Sequence, residues 1–279
     1  MNFLLIFLII LFLLIIKSSV SPFSNSEKNN IDSLTDFSAG SANDSENKDL
    51  WVRGASEFIP QLNQILDFVK YDFKIVDIHT FNGSPNVENL SYLFKKYGSD
   101  KSDKHNYHIL YSYIFKILGE KSKLNVLEIG LGTNNTSVIS NMGSEGKPGA
   151  SLYAFKDYLV NSNIYGADID KNILFKSERI NTTFVDQLNP QTFQDLIENF
   201  KVKSFDVIID DGLHSINANI NTLLFALNNI NKGGWIIIED IHIVNNWKII
   251  NFILNKDPTY KTYVIKCNSS YLYVINKIK

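Results

Sequence analysis

Two short acidic clusters in this chain have the residue types and the spacing of a metal-assisted catalytic site. The first runs from Asp210 to His214 and the second is Glu239-Asp240, and each directly follows a short apolar run. Such runs are typical of buried parallel strands, and neighbouring strands lie about 4.8 Å apart. If these two strands are neighbours, Asp211 and Asp240 can hold one hard cation, with His214 beside it.

The chemistry of such a cluster follows from its oxygen atoms. The set Asp211, His214, Glu239 and Asp240 suits Mg²⁺, which prefers oxygen ligands and keeps positions open for water or substrate oxygens. A bound cation would orient a substrate hydroxyl and lower its pKa, and His214 could take the proton. In the structural alternative, Asp210 and Glu239 form hydrogen bonds in the core and His214 caps a helix. The complete set at two strand ends favours the functional interpretation.

A glycine turn follows another predicted strand. Gly130 and Gly132 let the backbone approach a ligand closely, and Glu128 lies just inside the strand end. A dinucleotide fingerprint would need a third glycine where Asn135 stands. A structural strand-to-helix turn explains the same glycines, so this motif alone leaves both interpretations open.

Acidic and amide side chains follow the next two predicted strands. Asp168 can accept hydrogen bonds from both ribose hydroxyls of a nucleoside ligand, whereas Asp170 can cap the segment after it. Asp186-Gln187 is placed to meet an adenine amino group, and a solvated turn is an equal alternative. These residues extend the candidate site along one edge of a sheet.

Strands and helices alternate from Leu124 onward. The predicted strands are 125–129, 163–167, 182–185, 205–209, 235–238, 262–265 and 271–275. The predicted helices between them are 151–159, 172–180, 190–200, 216–230 and 245–255. This pattern predicts an α/β fold with a doubly wound, mostly parallel, seven-stranded sheet. Helical spacing at 51–70, 87–97 and 105–118 predicts a helical accessory region before it.

The N-terminus differs in composition from the remainder. Phe3 to Ile16 is an uninterrupted apolar run, followed by Lys17 and a polar stretch to about residue 49. The run is shorter than the roughly 20 residues that span a bilayer, which indicates a signal-peptide core or a short anchor. The basic residues after it favour a membrane-anchored protein whose catalytic domain faces the cytosol; entry into the secretory pathway is the alternative.

Four segments are therefore predicted. They are a hydrophobic signal or anchor segment at 1–17, a disordered polar linker at 18–50, the helical accessory region at 51–120 and the α/β domain at 121–279.

Charge and cysteine content exclude other classes. The formal net charge is −2 with acids and bases interleaved, so no basic face is available for nucleic acid. The single cysteine, Cys267, excludes an internal disulfide framework and a Cys-rich zinc site. Membrane association through residues 3–16 is expected, and a homo-oligomer remains open.

Taken together, these motifs resemble one enzyme family. The chain is similar to the macrolide-sugar O-methyltransferases of the macrocin and mycinamicin type, within the Rossmann-like class I methyltransferase fold. The resemblance covers about Glu88 to Ile241, and only the combination of motifs is specific. The matching stretches are 97–101 with His105 and Tyr107, 126–130, 149–152, 166–169, 186–187, 210–214 and 233–240.

The resemblance implies roles for these residues. S-adenosylmethionine would be held by the cofactor set Glu128, Gly130, Gly132, Asp168, Asp186 and Gln187. Mg²⁺ would lie among Asp211, Glu239 and Asp240, and His214 would be the general base. Lys101, His105 and Tyr107 would help to close the pocket.

The function implied is an S-adenosylmethionine- and Mg²⁺-dependent O-methyltransferase acting on a sugar hydroxyl of a glycan or glycosylated small molecule. Two alternatives keep the cofactor: an O-methyltransferase of a catechol-like or other diol small molecule, and a non-catalytic S-adenosylmethionine-binding domain. A nicotinamide dehydrogenase is disfavoured, because the third glycine is absent and the acidic cluster would have no purpose.

Overall fold

A computed structural model describes residues 58–279, of which Ile59–Lys279 form one compact unit. Its strands are β1 (Ile75–Asp77), β2 (Asn125–Ile129), β3 (Asn163–Asp168), β4 (Lys176–Ser177), β5 (Ile180–Phe184), β6 (Phe205–Asp210), β7 (Ile230–Ile241), β8 (Tyr260–Lys266) and β9 (Tyr271–Lys277). Its α-helices are α1 (Phe58–Phe68), α2 (Val87–Tyr97), α3 (His108–Leu118), α4 (Ala150–Tyr158), α5 (Gln191–Phe200), α6 (Ile216–Asn229) and α7 (Lys248–Leu254).

All these strands join one sheet in the order β1-β8-β9-β7-β6-β2-β3-β5-β4. The central strands β7, β6, β2, β3 and β5 are parallel, whereas β9 is antiparallel to β7 and β8, and β4 to β5. The predicted doubly wound, mostly parallel sheet is therefore confirmed. The strand number is corrected from seven to nine, because the short edge strands β1 and β4 extend the sheet.

Helices cover both faces of this sheet. One core contains side chains of α2, α3 and α4, for example Phe94 and Phe155, and the other contains side chains of α5 and α6, for example Phe193. Successive residues of β2 enter opposite cores, with Val126 in the first and Leu127 in the second. Strands buried on both faces in this way read as continuous apolar runs, which is why their positions were predictable.

One predicted helix, 172–180, is wrong. A single 3-10 turn at Lys171–Ile173 is followed by β4, which pairs antiparallel with β5. Thr182 fixes this arrangement, because its hydroxyl accepts from the backbone N–H of Phe175 at 2.5 Å and its own N–H donates to the Phe175 carbonyl at 3.2 Å. The hairpin turns at Arg179, which has a left-handed φ of 59°. Strand pairing here overrides the local helical pattern.

The predicted membrane anchorage is overturned as far as the structure describes the chain. Between residues 58 and 279 no helix is long and apolar enough to cross a bilayer. The segment predicted as signal or anchor, at 3–16, and the polar linker lie outside the described residues. The membrane-anchored localisation is accordingly withdrawn.

Candidate active site

The carboxyl ends of β2, β6 and β7 meet at one edge of the sheet. Ile129 of β2 is opposite Asp210 of β6, and Asp210 is opposite Ile238 of β7. The strands that carry the two acidic clusters are thus neighbours, as the sequence predicted. Asp211 and the pair Glu239-Asp240 consequently emerge side by side.

Asp210 belongs to the core and not to the cleft. Its carboxylate is fully buried and accepts hydrogen bonds from Gln187 Nε2 at 2.8 Å and Asn219 Nδ2 at 3.0 Å. Burial raises the pKa of Asp210, and these hydrogen bonds oppose that shift. For this residue the structural alternative is correct: it anchors the segment that presents Asp211 and His214.

Asp211, His214 and Asp240 converge at the cleft. His214 Nε2 lies 3.9 Å from Asp211 Oδ1 and 4.0 Å from Asp240 Oδ2. One ligand atom from each residue fits within 4.8 Å of the others, a grouping that could hold a metal ion. Glu239, the remaining predicted ligand, is not part of this group.

Backbone conformation at two of these residues is unusual. His214 has φ 56° and Asp240 has φ 52°, both in the left-handed region that non-glycine residues rarely adopt. His214 does not cap α6, whose N-cap is Ser215. Holding a non-glycine residue in this region costs on the order of 1–2 kcal/mol, and such residues cluster at functional sites. This backbone conformation directs both side chains to the cleft. Its energetic cost supports a functional role for them.

The loop between α2 and α3 closes one side of the site. Tyr107 donates a hydrogen bond to Asp240 Oδ1 at 2.7 Å, and His105 Nδ1 lies 3.4 Å from the same oxygen. Burial would raise the pKa of Asp240, but the Tyr107 hydrogen bond and the charges of His105, His214 and Lys101 hold that pKa below its usual value. Asp240 is thereby kept ionised.

Lys101 of the same loop lines the cleft and contacts three carboxylates. Its ammonium lies 2.6 Å from Asp211 Oδ2, 2.5 Å from Glu239 Oε2 and 3.1 Å from Glu128 Oε1. Glu128 is fully buried and accepts a hydrogen bond from Ser151 at 2.5 Å. This predicted cofactor-binding residue therefore lies behind the cleft wall and contacts Lys101 and Ser151.

The glycine turn forms the opposite side of the cleft. Gly130 has φ 94°, and a Cβ there would lie 2.0 Å from the backbone oxygen of Asp211. Asp168 supports the turn from below, since its Oδ2 accepts from the backbone N–H of Leu131 at 2.7 Å and its Oδ1 from that of Asp170 at 2.8 Å. Only glycine permits this close passage between β2 and the segment after β6.

We expect Gly130→Ala to separate the glycine turn from the Asp211 backbone. The variant should weaken binding of S-adenosylmethionine, the cofactor that the resemblance implies, at least tenfold, and it should cost roughly 2 kcal/mol of unfolding free energy, because the strained φ and the clash add. Calorimetric titration and chemical denaturation measure the two effects. Gly233→Ala is the matched control: its φ is 81°, but an added Cβ meets nothing within 4 Å. Equal losses in both variants would contradict the close-approach argument.

The two predicted adenine-contacting residues have different environments. Gln187 is buried: its amide donates to Asp210 and Thr222, both at 2.8 Å, and accepts from the backbone N–H of Leu213 at 2.8 Å. Asp186 accepts from the N–H of Leu188 at 2.9 Å, as a turn residue does. Gln187 thus supports the acidic loop, and neither residue lines the cleft.

The cleft has a volume of about 310 Å³. Predicted site residues Gly130, Gly132, Asp211, His214 and Asp240 line it. The sequence did not single out four other lining residues, since nothing local marks them as functional: Ser140, Asn141, Met142 and Lys147. All four come from the loop between β2 and α4, whose path over the cleft is set by tertiary contacts such as the Ser140 hydroxyl donating to the Gly212 carbonyl at 2.9 Å.

The sheet order, the glycine turn and the acidic strand ends define the class I methyltransferase fold. Solved structures with this fold confirm it: MycE methyltransferase from the mycinamycin biosynthetic pathway, in complex with Mg and SAH, aligns in two crystal forms with TM-scores of 0.54. Sequence identity is 21% over 67% of this chain and 54% of that chain in one form. In the other crystal form the sequence identity is 17%, over 92% of this chain and 66% of that chain.

The predicted resemblance to macrolide-sugar O-methyltransferases is confirmed by curated proteins. A 30% identical match over 156 residues is 8-demethyl-8-alpha-L-rhamnosyl tetracenomycin-C 2'-O-methyltransferase of Streptomyces olivaceus, covering 56% of this chain and 38% of that protein. Demethylmacrocin O-methyltransferase of Streptomyces fradiae (35%) and mycinamicin VI 2''-O-methyltransferase of Micromonospora griseorubida (38%) each match 94 residues, 33% of this chain and 23% of those proteins. The chain thus spans well under half the length of these relatives. No protein-family model matches it.

Proposed function

We propose that this chain is an S-adenosylmethionine- and Mg²⁺-dependent O-methyltransferase that acts on a sugar hydroxyl of a glycan or glycosylated small molecule. The observation that carries the proposal is the position of His214 Nε2, 3.9 and 4.0 Å from two cleft carboxylates beside the glycine turn. The relatives named above are O-methyltransferases of glycosylated compounds, which supports a sugar hydroxyl as the acceptor.

The residues present fit a magnesium ion. Asp211 Oδ1 and Asp240 Oδ2 both face His214 across the cleft, and Mg²⁺ is commonly bound by one or two carboxylates while waters and substrate oxygens complete its shell. When bound, the cation would polarise the acceptor hydroxyl and lower its pKa. His214 Nε2 is positioned to take the proton of that hydroxyl.

The residues also fit a nucleoside cofactor. Asp168 lies at the end of β3 next to the glycine turn, and the next residue, Ile169, is 49% exposed. Leu188, which follows Gln187, is 51% exposed. These two exposed apolar side chains lie in the loops after the neighbouring strands β3 and β5 and suit the faces of a planar base. Each oxygen of Asp168 accepts one backbone N–H and keeps a further lone pair, which suits ribose hydroxyls. S-adenosylmethionine bound there would supply a sulfonium methyl group for transfer to the hydroxyl.

Lys101, His105 and Tyr107 extend the site beyond the α/β domain proposed for residues 121–279. They lie in the proposed accessory region, 51–120, and fix the carboxylates from outside the sheet. We infer that this region completes the active site, because it also supplies strand β1 to the sheet and the side chains of α2 and α3 to one of the two cores.

The full chain is tested with radiolabelled S-adenosylmethionine, Mg²⁺ and two acceptor panels, one of glycosylated small molecules and one of catechols. Label transferred to a glycoside, and lost on addition of EDTA, supports the proposal. Transfer to catechols alone would replace the sugar acceptor with a diol. Cofactor binding with no transfer to either panel would favour a non-catalytic binding domain, and absence of cofactor binding would remove the methyltransferase proposal altogether.

A further inference from the structure

A second cavity, which we call the edge cavity, lies between the segment 71–76, the end of α7 and residues 262–264 of β8, and has a volume of about 420 Å³. β1 pairs only with residues 264–266 of β8, so the earlier part of β8 has β9 as its one neighbouring strand among the described residues. Thr262 lies four residues before the carboxyl end of β8 at Lys266, which is roughly 13 Å of strand. The edge cavity is distinct from the cleft, with which it shares no lining residue.

One wall of the edge cavity is a chain of neutral hydrogen-bonding groups. Asn251 Nδ2 donates to the Tyr71 hydroxyl at 2.8 Å, and this hydroxyl makes no second hydrogen bond within residues 58–279. The Thr262 hydroxyl lies 2.8 Å from Asn251 Oδ1 and 2.7 Å from Asn255 Oδ1. A threonine hydroxyl has one hydrogen, so it can donate to only one of these amide oxygens. The other amide oxygen and the Tyr71 hydrogen are therefore available to a ligand.

A buried hydroxyl beside this wall also has no partner. Tyr273 of β9 is 0% exposed, and its hydroxyl makes no hydrogen bond within the described part of the chain. Tyr71 and Thr262 are its polar neighbours, and burial raises the pKa of Tyr273, so its hydroxyl stays a neutral donor. Such a group is rare in native proteins and is explained where an oxygen from outside the chain completes its hydrogen bonding.

Aromatic side chains form much of the remaining wall. Tyr71, Phe73 and Tyr263 line the cavity, and each is partly exposed. Asp72 and Lys74 are the charged residues among its described lining, and both are exposed. One acid and one base leave the wall without net charge, and the C-terminal end of α7, which also lies there, disfavours an anion. This lining fits a neutral ligand that is rich in hydroxyl groups and has an apolar face.

We propose that the edge cavity binds a saccharide unit, separately from the catalytic cleft. Each sugar hydroxyl both donates and accepts, which matches the amide oxygens and hydroxyls of the polar wall. The C–H face of a sugar ring suits the negative face of an aromatic side chain. The cavity volume falls within the roughly 300–1,000 Å³ of small-molecule sites. The inference needs neither S-adenosylmethionine nor a cation, so it stands independently of the proposed function.

Side-chain amide signals in the nuclear magnetic resonance spectrum locate the binding. The full chain, labelled with ¹⁵N, is titrated with the methyl glycosides of α-D-glucose, β-D-galactose, α-D-mannose and α-L-rhamnose, and with N-acetylglycinamide as a neutral non-sugar control. A glycoside should shift the signals of Asn251 and Asn255 in a saturable way. Asn228, an exposed asparagine near the end of α6, should not respond. Absence of these shifts with every glycoside, or equal shifts with N-acetylglycinamide, would overturn the proposal.

Thr262→Val removes the shared hydroxyl and nearly keeps the side-chain volume. It should weaken glycoside binding at least about fivefold, because the polar wall loses the group that joins its two amides. Thr259→Val is the matched control: Thr259 is also half-buried but does not line the edge cavity, and its variant should bind normally. Equal affinities of the two variants, both folded as judged by their amide spectra, would contradict the assignment.

Asn255→Ala gives a second test at an exposed position, where loss of the fold is not expected. It should weaken glycoside binding to a similar extent as the loss of the Thr262 hydroxyl, whereas Asn228→Ala should leave the affinity unchanged. Normal binding by Asn255→Ala would remove the polar wall from the site.

The side-chain signal of Asn141, which lines the cleft, separates this proposal from the proposed function. Shifts at Asn141 alone would place the sugar in the cleft, which overturns the edge site and leaves the methyltransferase proposal standing. Shifts at Asn251 and Asn255 in a chain that transfers no methyl group would support the edge site although the proposed function fails.

Discussion

Replacing His214 by asparagine is expected to reduce methyl transfer by a factor of about 10²–10⁴, the contribution typical of a general base. The Nε2 atom of His214 faces both Asp211 and Asp240, at 3.9 and 4.0 Å, and an imidazole nitrogen can take up a proton. An asparagine amide cannot take up a proton in its place. Initial rates with labelled S-adenosylmethionine at saturating acceptor measure the loss.

The same substitution should leave the fold intact or stabilise it. His214 has φ 56°, a conformation that asparagine adopts more readily than histidine. Nδ1 of His214 is also buried, with no hydrogen-bond partner among the described residues. We therefore expect the unfolding free energy of His214→Asn to be unchanged or higher by up to about 1 kcal/mol, as is common when a strained functional residue is relaxed. Chemical denaturation measures this difference.

His242→Asn is the matched control for this experiment. His242 is exposed, lies two residues beyond Asp240 and contributes nothing to the cleft. Its variant should transfer methyl groups at a rate within about twofold of the wild type. If His214→Asn retained a comparable rate with normal affinity for S-adenosylhomocysteine, His214 would not be the base, and a solvent hydroxide would be the better candidate.

The sequence predicted the sheet well because its central strands are buried on both faces. Runs such as 125–129 and 205–209 are continuous and apolar, and their carboxyl ends had to meet at one edge. That rule alone placed Asp211 and Asp240 side by side. The edge strand β4 was missed since its two residues are exposed and carry no apolar signal.

Side-chain direction at the strand ends could not be predicted in the same way. Glu239 and Asp240 are adjacent in sequence, but a left-handed residue and a register shift between Ile238 and Ile241 decide which of them faces the cleft. Lys101 contacts Asp211 across 110 residues of sequence. Contacts of this range depend on loops whose conformations are set by the finished fold, and no local pattern encodes them.

The roles of the proposed cofactor and metal residues stay predictions. The structure nevertheless divides these residues into those that line the cleft and those that are buried behind it. Gly130, Gly132, Asp211, His214 and Asp240 line the cleft. Glu128, Gln187 and Glu239 are buried behind it, and each bonds to a residue that lines the cleft or supports it. Motif matching identifies which residues belong to a site, whereas burial decides how directly each can touch a ligand.

Asp210→Asn is expected to have the largest effect on stability among variants of the acidic loop. Asp210 is fully buried and accepts from Gln187 Nε2 at 2.8 Å, Asn219 Nδ2 at 3.0 Å and the N–H of Gly212 at 3.3 Å. An asparagine would place an NH₂ group against one of these donors, leaving a buried donor unsatisfied. We expect a loss of about 3 kcal/mol in unfolding free energy, or roughly 6–12 °C in Tm.

Asp206→Asn is the control at the other end of β6. Asp206 also accepts two hydrogen bonds, from the N–H of Asn125 and from Asn231 Nδ2, both at 2.8 Å, but it is only half-buried. Its variant should lose at most about 1 kcal/mol and transfer methyl groups normally.

We expect the methyl-transfer rates of Asp210→Asn and Asp206→Asn to differ by a larger factor than their stabilities suggest. Gln187 is held by Asp210 and in turn holds the backbone N–H of Leu213 at 2.8 Å, one residue before His214. Disturbing Asp210 should therefore displace His214 and lower kcat for methyl transfer at least tenfold at temperatures where the variant is still folded, since small misplacements of a base are costly. Normal kcat in folded Asp210→Asn would mean that the strained backbone at His214 is maintained without this network, and that α6 alone fixes the position of the base.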